Sequence, residues 1–397
     1  MGNEEVVIVS AVRTPIGTFG GSLKNISSGH LAALVIEEAI NRASIQPDQI
    51  DEVIMGEVRQ TTESSNVARV AALRAGLPET TPAFTVNRLC ASGMQAVASG
   101  VQEILRGDAE IVVAGGTESM SRSPIYLRGA RFGDETPYLV DSNTEAGQQP
   151  TEIYGANLGI GMGMTAENVA ETYKISREDQ DIFALESQKR AKAAIMKGRF
   201  QEEIIPVQVN RKKESFQFTQ DEHPRFTTTL DKLATLKPAF KPNGTVTAGN
   251  ACGRNDGAAA LVMMKRQKAQ ELGLKPLAKI VDWAVSGVSP EIMGIGPVPA
   301  VKRLLAKQNK SIQDIDLFEL NEAFASQALA CIRELSLDYE KVNVNGGAIA
   351  LGHPVGATGA RILTTLLYEM IKRQQQFGIA TLCVGGGQGM AMMIELL

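Results

Sequence analysis

A short apolar run closed by glycines, IVVAGG, ends at Gly116. A second one, LCVGGG, ends at Gly387, 271 residues later. Two further elements recur in the same order. ASGMQAV carries Gly93 and ATGARIL carries Gly359, 266 residues apart, and the strand-like runs DEVIMGEV (from Asp51) and DIDLFELN (from Asp314) precede them. Three elements at a nearly constant offset make this a chain of two similar halves, which leaves few folds open. Short apolar runs such as EVVIVSAV and LAKIVDWAVSGV alternate with helical patterns such as HLAALVIEEAINRA. That alternation predicts a layered α/β architecture. Residues 120–247 break the pattern. FGDETPYLVDSNTEAGQQPTEIYG is polar, with Gly and Pro, and reads as loop, whereas TAENVAETYKISREDQDIFALESQKRAKAAIMKGRF reads as helical. In the latter, Ser176 is an N-cap with Asp179 three residues on. We therefore expect an N-terminal half over 1–270, carrying an inserted domain at about 120–247, and a C-terminal half over 271–397.

Forty Lys and Arg against 44 Asp and Glu give a net charge of −4, which argues against a general binder of nucleic acid or membrane surfaces. An anionic ligand would need a local basic site. Lys212, Lys213 and Arg225 in the insertion are candidates for one, or simply a solvated face. The four cysteines, Cys90, Cys252, Cys331 and Cys383, form no C-x-x-C pair, so neither a zinc site nor a disulfide framework is expected. The start, MGNEEVVIVSAVRTP, lacks the pattern of a signal peptide. No apolar run reaches the roughly 18–20 residues of a membrane span. The expected location is cytoplasmic.

Four stretches bear chemistry. Cys90, in VNRLCASGMQAV, reads as a strand-to-helix turn, either with a reactive thiol at a helix N-terminus, where backbone N–H groups favour the thiolate, or with a buried structural cysteine, the commoner fate of a lone free Cys. His353 sits among glycines in NGGAIALGHPVGATGA, with backbone free to approach a ligand and a neutral imidazole able to take a thiol proton or hold a carbonyl oxygen. Cys383 ends a strand before three glycines, whose N–H groups suit an oxyanion. A dinucleotide reading of those glycines fails, because the chain stops too soon for the βαβ unit. Asn321, in FELNEAFASQ, either orients a water or carbonyl oxygen or serves as a helix cap.

The set NRLCASG, GGTESMS, GMTAEN, TAGNACGRNDGAA, NEAFA, NGGAIALGHPVGATGARI and CVGGGQG, in this order from about residue 5 to the C-terminus, resembles the thiolases, and among them the acetyl-CoA C-acetyltransferases. The resemblance implies a duplicated five-layered α-β-α-β-α core with an inserted loop domain that carries much of a coenzyme A site. It implies a ping-pong acyl transfer between acetyl-CoA, acetoacetyl-CoA and CoA, with no metal or prosthetic group. It assigns Cys90 as the acyl-accepting nucleophile, His353 as its activator, Cys383 as the acid/base at the methyl carbon, and Asn321 as the holder of a water in one oxyanion hole. The N–H groups of Cys90 and Gly385 would form the second hole. Met162 lies at the acyl pocket, and Arg225, Ala248, Gly249, Cys252, Ala323 and Phe324 at the coenzyme. A homodimer or homotetramer is implied, with no nucleic-acid or membrane partner.

Two positions depart from the family pattern. Gly161 stands where a histidine usually lines the acyl pocket, which would suit a longer acyl chain, and Cys252 replaces a serine that contacts the pantetheine arm. The stretch from Gly133 to Gly161 also diverges, and it shapes the pocket and subunit contacts. A degradative 3-ketoacyl-CoA thiolase is therefore the close alternative. A decarboxylating ketoacyl synthase would have no use for Cys383, and a non-catalytic carrier of this fold would have lost Cys90, His353 or Cys383.

Overall fold

A computed structural model describes residues 5–133, 135–148, 161–211 and 214–397. The first half runs β1 (Val6–Arg13), α1 (Ser28–Ala43), β2 (Glu52–Gly56), α2 (Val67–Arg74), β3 (Ala83–Val86), α3 (Ser92–Arg106), β4 (Ile111–Ser119) and, after the insertion, β5 (Asn255–Lys265). The second half repeats most of it with β6 (Ala278–Gly287), α4 (Pro297–Lys307), β7 (Leu317–Leu320), α5 (Ala325–Leu335), α6 (Val355–Arg373), β8 (Phe377–Val384) and β9 (Gln388–Leu396).

One sheet holds all these strands in the order β7-β8-β9-β6-β1-β5-β4-β2-β3. Its two wings mirror each other. β2 runs parallel to β4 as β7 does to β8, and β4–β5 and β8–β9 are both antiparallel. Within the sheet, the described strands of the two wings join where Val7 and Ile8 of β1 pair with Lys279 and Ala278 of β6. Strands such as β4 and β5 are buried along nearly their whole length, because helices cover both faces, which explains their unbroken apolar runs. The central core cluster takes in α3, α6 and the inward faces of both wings, α1 and α2 cover the outside of one wing, and α4 and α5 the outside of the other. This is the duplicated, layered arrangement expected from the repeat.

In the insertion the capping box of Ser176 and Asp179 starts helix Arg177–Met196 as anticipated. The polar stretch near residue 140 is not all loop. Tyr138–Asp141 pairs with Ile125–Arg128 in a hairpin, followed by a short helix, Ser142–Gln148. The run YLVD was too short to stand out among its polar neighbours. Asp134 and residues 149–160 of that divergent stretch, and Lys212 and Lys213, lie outside the described residues.

A buried ion cluster ties the insertion to the core. Arg13, at the end of β1, donates to Glu203 Oε1 at 2.6 Å and to both oxygens of Asp221 at 2.7 and 2.9 Å. Asp221 also accepts the Ile16 N–H. Removing one member of a buried pair strands the others' charges and costs about 3–5 kcal/mol. Arg13→Met should therefore lower the thermal midpoint sharply, which differential scanning calorimetry would check.

Candidate active site

α3 and α6 cross with their N-terminal turns in backbone contact. A Cβ built on Gly93 would lie 2.9 Å from the Ala360 nitrogen, and one on Gly359 would lie 2.4 Å from the Met94 nitrogen. Only glycine permits that approach. Cys90 and His353 each sit two residues ahead of the first residue of their helix, so the crossing brings the two loops to the same end.

Three side chains fix these loops. Glu118, at the end of β4, accepts N–H bonds from Gly356 (2.9 Å) and Val58 (3.1 Å) on Oε2 and from Arg59 (3.0 Å) on Oε1. Asn255, at the start of β5, accepts the His353 N–H at 2.9 Å and donates to the Gly17 carbonyl at 2.9 Å. Gly352 holds φ at 106°, and a Cβ there would lie 2.5 Å from Asn255 Cγ, so this loop needs glycine on both counts. Thr358, in the first turn of α6, has its Oγ1 2.7 Å from His353 Nδ1. Reading single residues passed over Asn255, Glu118, Arg59 and Thr358, although all but Arg59 lie inside the quoted motifs.

The backbone N–H of Gly385 favours the thiolate form of Cys90. Burial raises the Cys90 thiol above its ordinary value, although Gly385 and the Arg59 charge pull it back. Burial thus opposes the thiolate that the helix start is expected to favour. Cys90 lies outside the first turn, and desolvation outweighs the dipole. Burial and then Arg361 push the His353 ring down to about 3. Both shifts favour the neutral forms, a thiol on Cys90 and an uncharged imidazole on His353.

Cys383 is buried at the end of β8, and its thiol is raised well above the ordinary value by burial first and then by Cys90. It belongs to a small apolar cluster with Ala166, Val246, Met293, Ala323 and Phe324, edged by Met162. Asn321 follows β7 and is buried, and neither amide atom has a partner among the described residues. Helix α5 begins after Phe324, so Asn321 is not its cap. Gly161 is the residue before helix Met162–Thr172.

A cleft of about 540 Å³ contains Arg225, Ala248, Gly249 and Cys252 among its lining residues, with Lys232 and Phe240. Arg225 is exposed, and the Cys252 thiol is pushed up to about 12 by burial. Ala323, Phe324 and Met162 do not line this cleft. They pack around Cys383, and the Cys252 N–H joins the two regions by donating to the Ala323 carbonyl at 3.0 Å.

Comparison with known proteins adds the following. The family model described as the thiolase N-terminal domain matches residues 6–267, and that of the thiolase C-terminal domain matches residues 274–396. The chain is similar to an acetyl-CoA acetyltransferase of Syntrophomonas wolfei, at 51% identity over 99% of each chain. Among solved structures, the acetyl-CoA acetyltransferase of Bacillus anthracis aligns with a TM-score of 0.96 at 50% identity, covering 99% of each chain. Human mitochondrial 3-ketoacyl-CoA thiolase in complex with CoA aligns at 0.94 with 45% identity, covering 99% of this chain and 98% of that one.

The raised thiol makes a direct prediction. Alkylation of Cys90 by iodoacetamide should follow a titration with its midpoint above the free-thiol value of about 8.5. Arg59→Leu should move it higher still, because it removes a cation that favours the thiolate. A midpoint below 7 in the unsubstituted protein would contradict the burial argument.

Proposed function

The chain belongs to the thiolase family, and from that premise we propose that it is an acetyl-CoA acetyltransferase. It would join two acetyl-CoA into acetoacetyl-CoA and CoA, reversibly, through an acyl-Cys90 intermediate. The observation that carries this reading is the meeting of the Cys90 and His353 loops at one helix crossing, where the Gly385 backbone N–H favours the Cys90 thiolate.

The chemistry follows from the protonation states. The neutral imidazole takes the thiol proton as the sulfur bonds to the acetyl carbonyl, so no thiolate need exist beforehand. The N–H groups of Cys90 and Gly385 hold the oxyanion. As the tetrahedral intermediate collapses, the departing CoA sulfur takes the Cys383 proton. The enzyme is left as acyl-Cys90, protonated His353 and a Cys383 thiolate. A thiol with a raised pKa yields a more basic thiolate, which suits proton removal from the weakly acidic methyl group of the second acetyl-CoA. The enolate oxygen is held by His353 and by a water on the unpartnered Asn321 amide. Its carbon attacks the acyl-cysteine, and the Cys90 sulfur leaves with the proton that His353 had held. No metal or prosthetic group enters this scheme.

In the cleft, Arg225 and Lys232 supply cations for the phosphates of coenzyme A, beside Ala248, Gly249 and Cys252. Met162, Ala323 and Phe324 enclose the acyl end near Cys383. Residues 1–270 and 271–397 are read as the two thiolase halves. Four free cysteines fit a reducing cytoplasm, and among the described residues no helix is long and apolar enough to cross a membrane.

Gly161 keeps a degradative 3-ketoacyl-CoA thiolase as the second reading. Thiolysis of acetoacetyl-CoA and of a medium-chain 3-ketoacyl-CoA separates the two. We expect brisk cleavage of the short substrate and at least tenfold lower kcat/KM for the longer one, which corresponds to about 1.4 kcal/mol. Equal or faster cleavage of the longer chain would move the assignment. Failure of both in folded protein would end the thiolase reading. Cys90→Ala should abolish turnover, and Arg225→Ala should raise KM for CoA more than it lowers kcat.

The hairpin Ile125–Arg128 and Tyr138–Asp141 exposes Ile125 (66%), Leu127 (58%), Tyr138 (53%) and Leu139 (72%). So much apolar surface on one projection is a protein contact in most soluble proteins. We expect it to be covered by another copy in a homodimer or homotetramer. Light scattering of a Leu127→Asp, Leu139→Asp variant should show a smaller assembly than the unsubstituted protein.

A further inference from the structure

We infer that Thr358 is a positioning residue that fixes the proton of His353 on Nδ1 and so leaves Nε2 as the base. The inference rests on the proposed role of His353 in acyl transfer. Thr358 Oγ1 lies 2.7 Å from Nδ1 and 2.9 Å from the Pro354 carbonyl oxygen, one turn back in the same helix. Two arrangements satisfy the shorter contact. If the hydroxyl gave its proton to Nδ1, the ring would carry hydrogen on Nε2 and could not accept a thiol proton there. If the hydroxyl gives its proton to the Pro354 carbonyl, which can only accept, its oxygen lone pair receives the Nδ1–H. The second arrangement satisfies both contacts at once. It also gives the Nδ1–H an acceptor, which it otherwise lacks among the described residues.

The surroundings support the assignment. His353 and Thr358 are both buried, so water does not compete for these atoms. The ring precedes α6, whose N-terminal amides carry partial positive charge, and Arg361 follows one turn after Thr358. A second proton on the resting ring is therefore disfavoured, and the choice lies between two neutral tautomers. Nε2 has no partner among the described residues. The Asn255 bond to the His353 N–H holds the backbone, and Thr358 holds the ring. In a Ser-His-Asp triad a carboxylate sets the tautomer. Here a neutral hydroxyl takes that place. It keeps the same Nδ1–H bond after Nε2 has taken the Cys90 proton, so the ring need not turn before it donates to the enolate.

The test begins without any substitution. The chain has three histidines, so ¹⁵N-histidine labelling gives three ring signatures, assigned by loss of one set in His353→Gln. The unsubstituted protein should show a protonated Nδ1 and an unprotonated Nε2 for His353. The reverse pattern would overturn the inference whether or not the protein proves to be a thiolase. Thr358→Val keeps the shape and removes the hydroxyl. It should shift His353 toward the Nε2–H form and lower kcat for acetoacetyl-CoA thiolysis about 10- to 100-fold with KM little changed. Thr358→Ser should restore both the signature and kcat to within about threefold of the starting protein, which a purely steric role for the threonine methyl would not predict. An unchanged tautomer and kcat in a folded Thr358→Val protein would also refute it.

Discussion

The backbone contact between α3 and α6 at Gly93 and Gly359 is what the rest of the site depends on. It sets the distance between the loop that carries Cys90 and the loop that carries His353, and no side chain can be inserted there without parting them. The two wings of the sheet bring these helices together in the middle layer, and the long buried strands hold them there. The contact is steric and needs no charge, so it does not soften with pH or salt. Interactions that tune the site are laid over it. Glu118 draws three backbone N–H groups from two loops to one carboxylate, and Asn255 ties the His353 loop to the start of β5.

The electrostatics follow from that burial. A cysteine and a histidine on the surface would titrate near their ordinary values and partly form an ion pair. Enclosed between two helix ends, both are pushed toward the neutral form, His353 from above and Cys90 from below. In the proposed reaction, charge would then separate only as a thioester arrives to accept it. Oriented backbone dipoles, supplied by Gly385 and by the Cys90 amide, then meet the charge where it develops.

Much of this was legible in the sequence, and the reasons differ by residue. The repeat gave the layered core, because each glycine-ended strand and small-residue helix has a counterpart about 270 residues away. His353 stood out against its small neighbours, whereas Cys90 and Cys383 drew their proposed roles from the ordered set of motifs that resembles the thiolases. The desolvation that raises the Cys90 thiol left no mark in the motif, which shows the local helix start and not the packing around it. The hairpin near residue 140 was missed because four residues give no measurable periodicity. Asn321 was left between two roles, and only the position of the α5 start, three residues further on, decides against the cap. Arg59 left no signal, because its influence on Cys90 arises through space.

The mirrored wings have a consequence for how such a site came to exist. Cys90 and His353 occupy like positions, each two residues before the central helix of its own half, so the proposed nucleophile and base are counterparts in the repeat. In an ancestor made of two identical units, both loops would have carried the same residue. Only after the copies were fused could one loop drift toward a thiol and the other toward an imidazole. The division of labour in the catalytic pair is thus a record of broken symmetry, and neither half on its own holds enough of the pair to do chemistry.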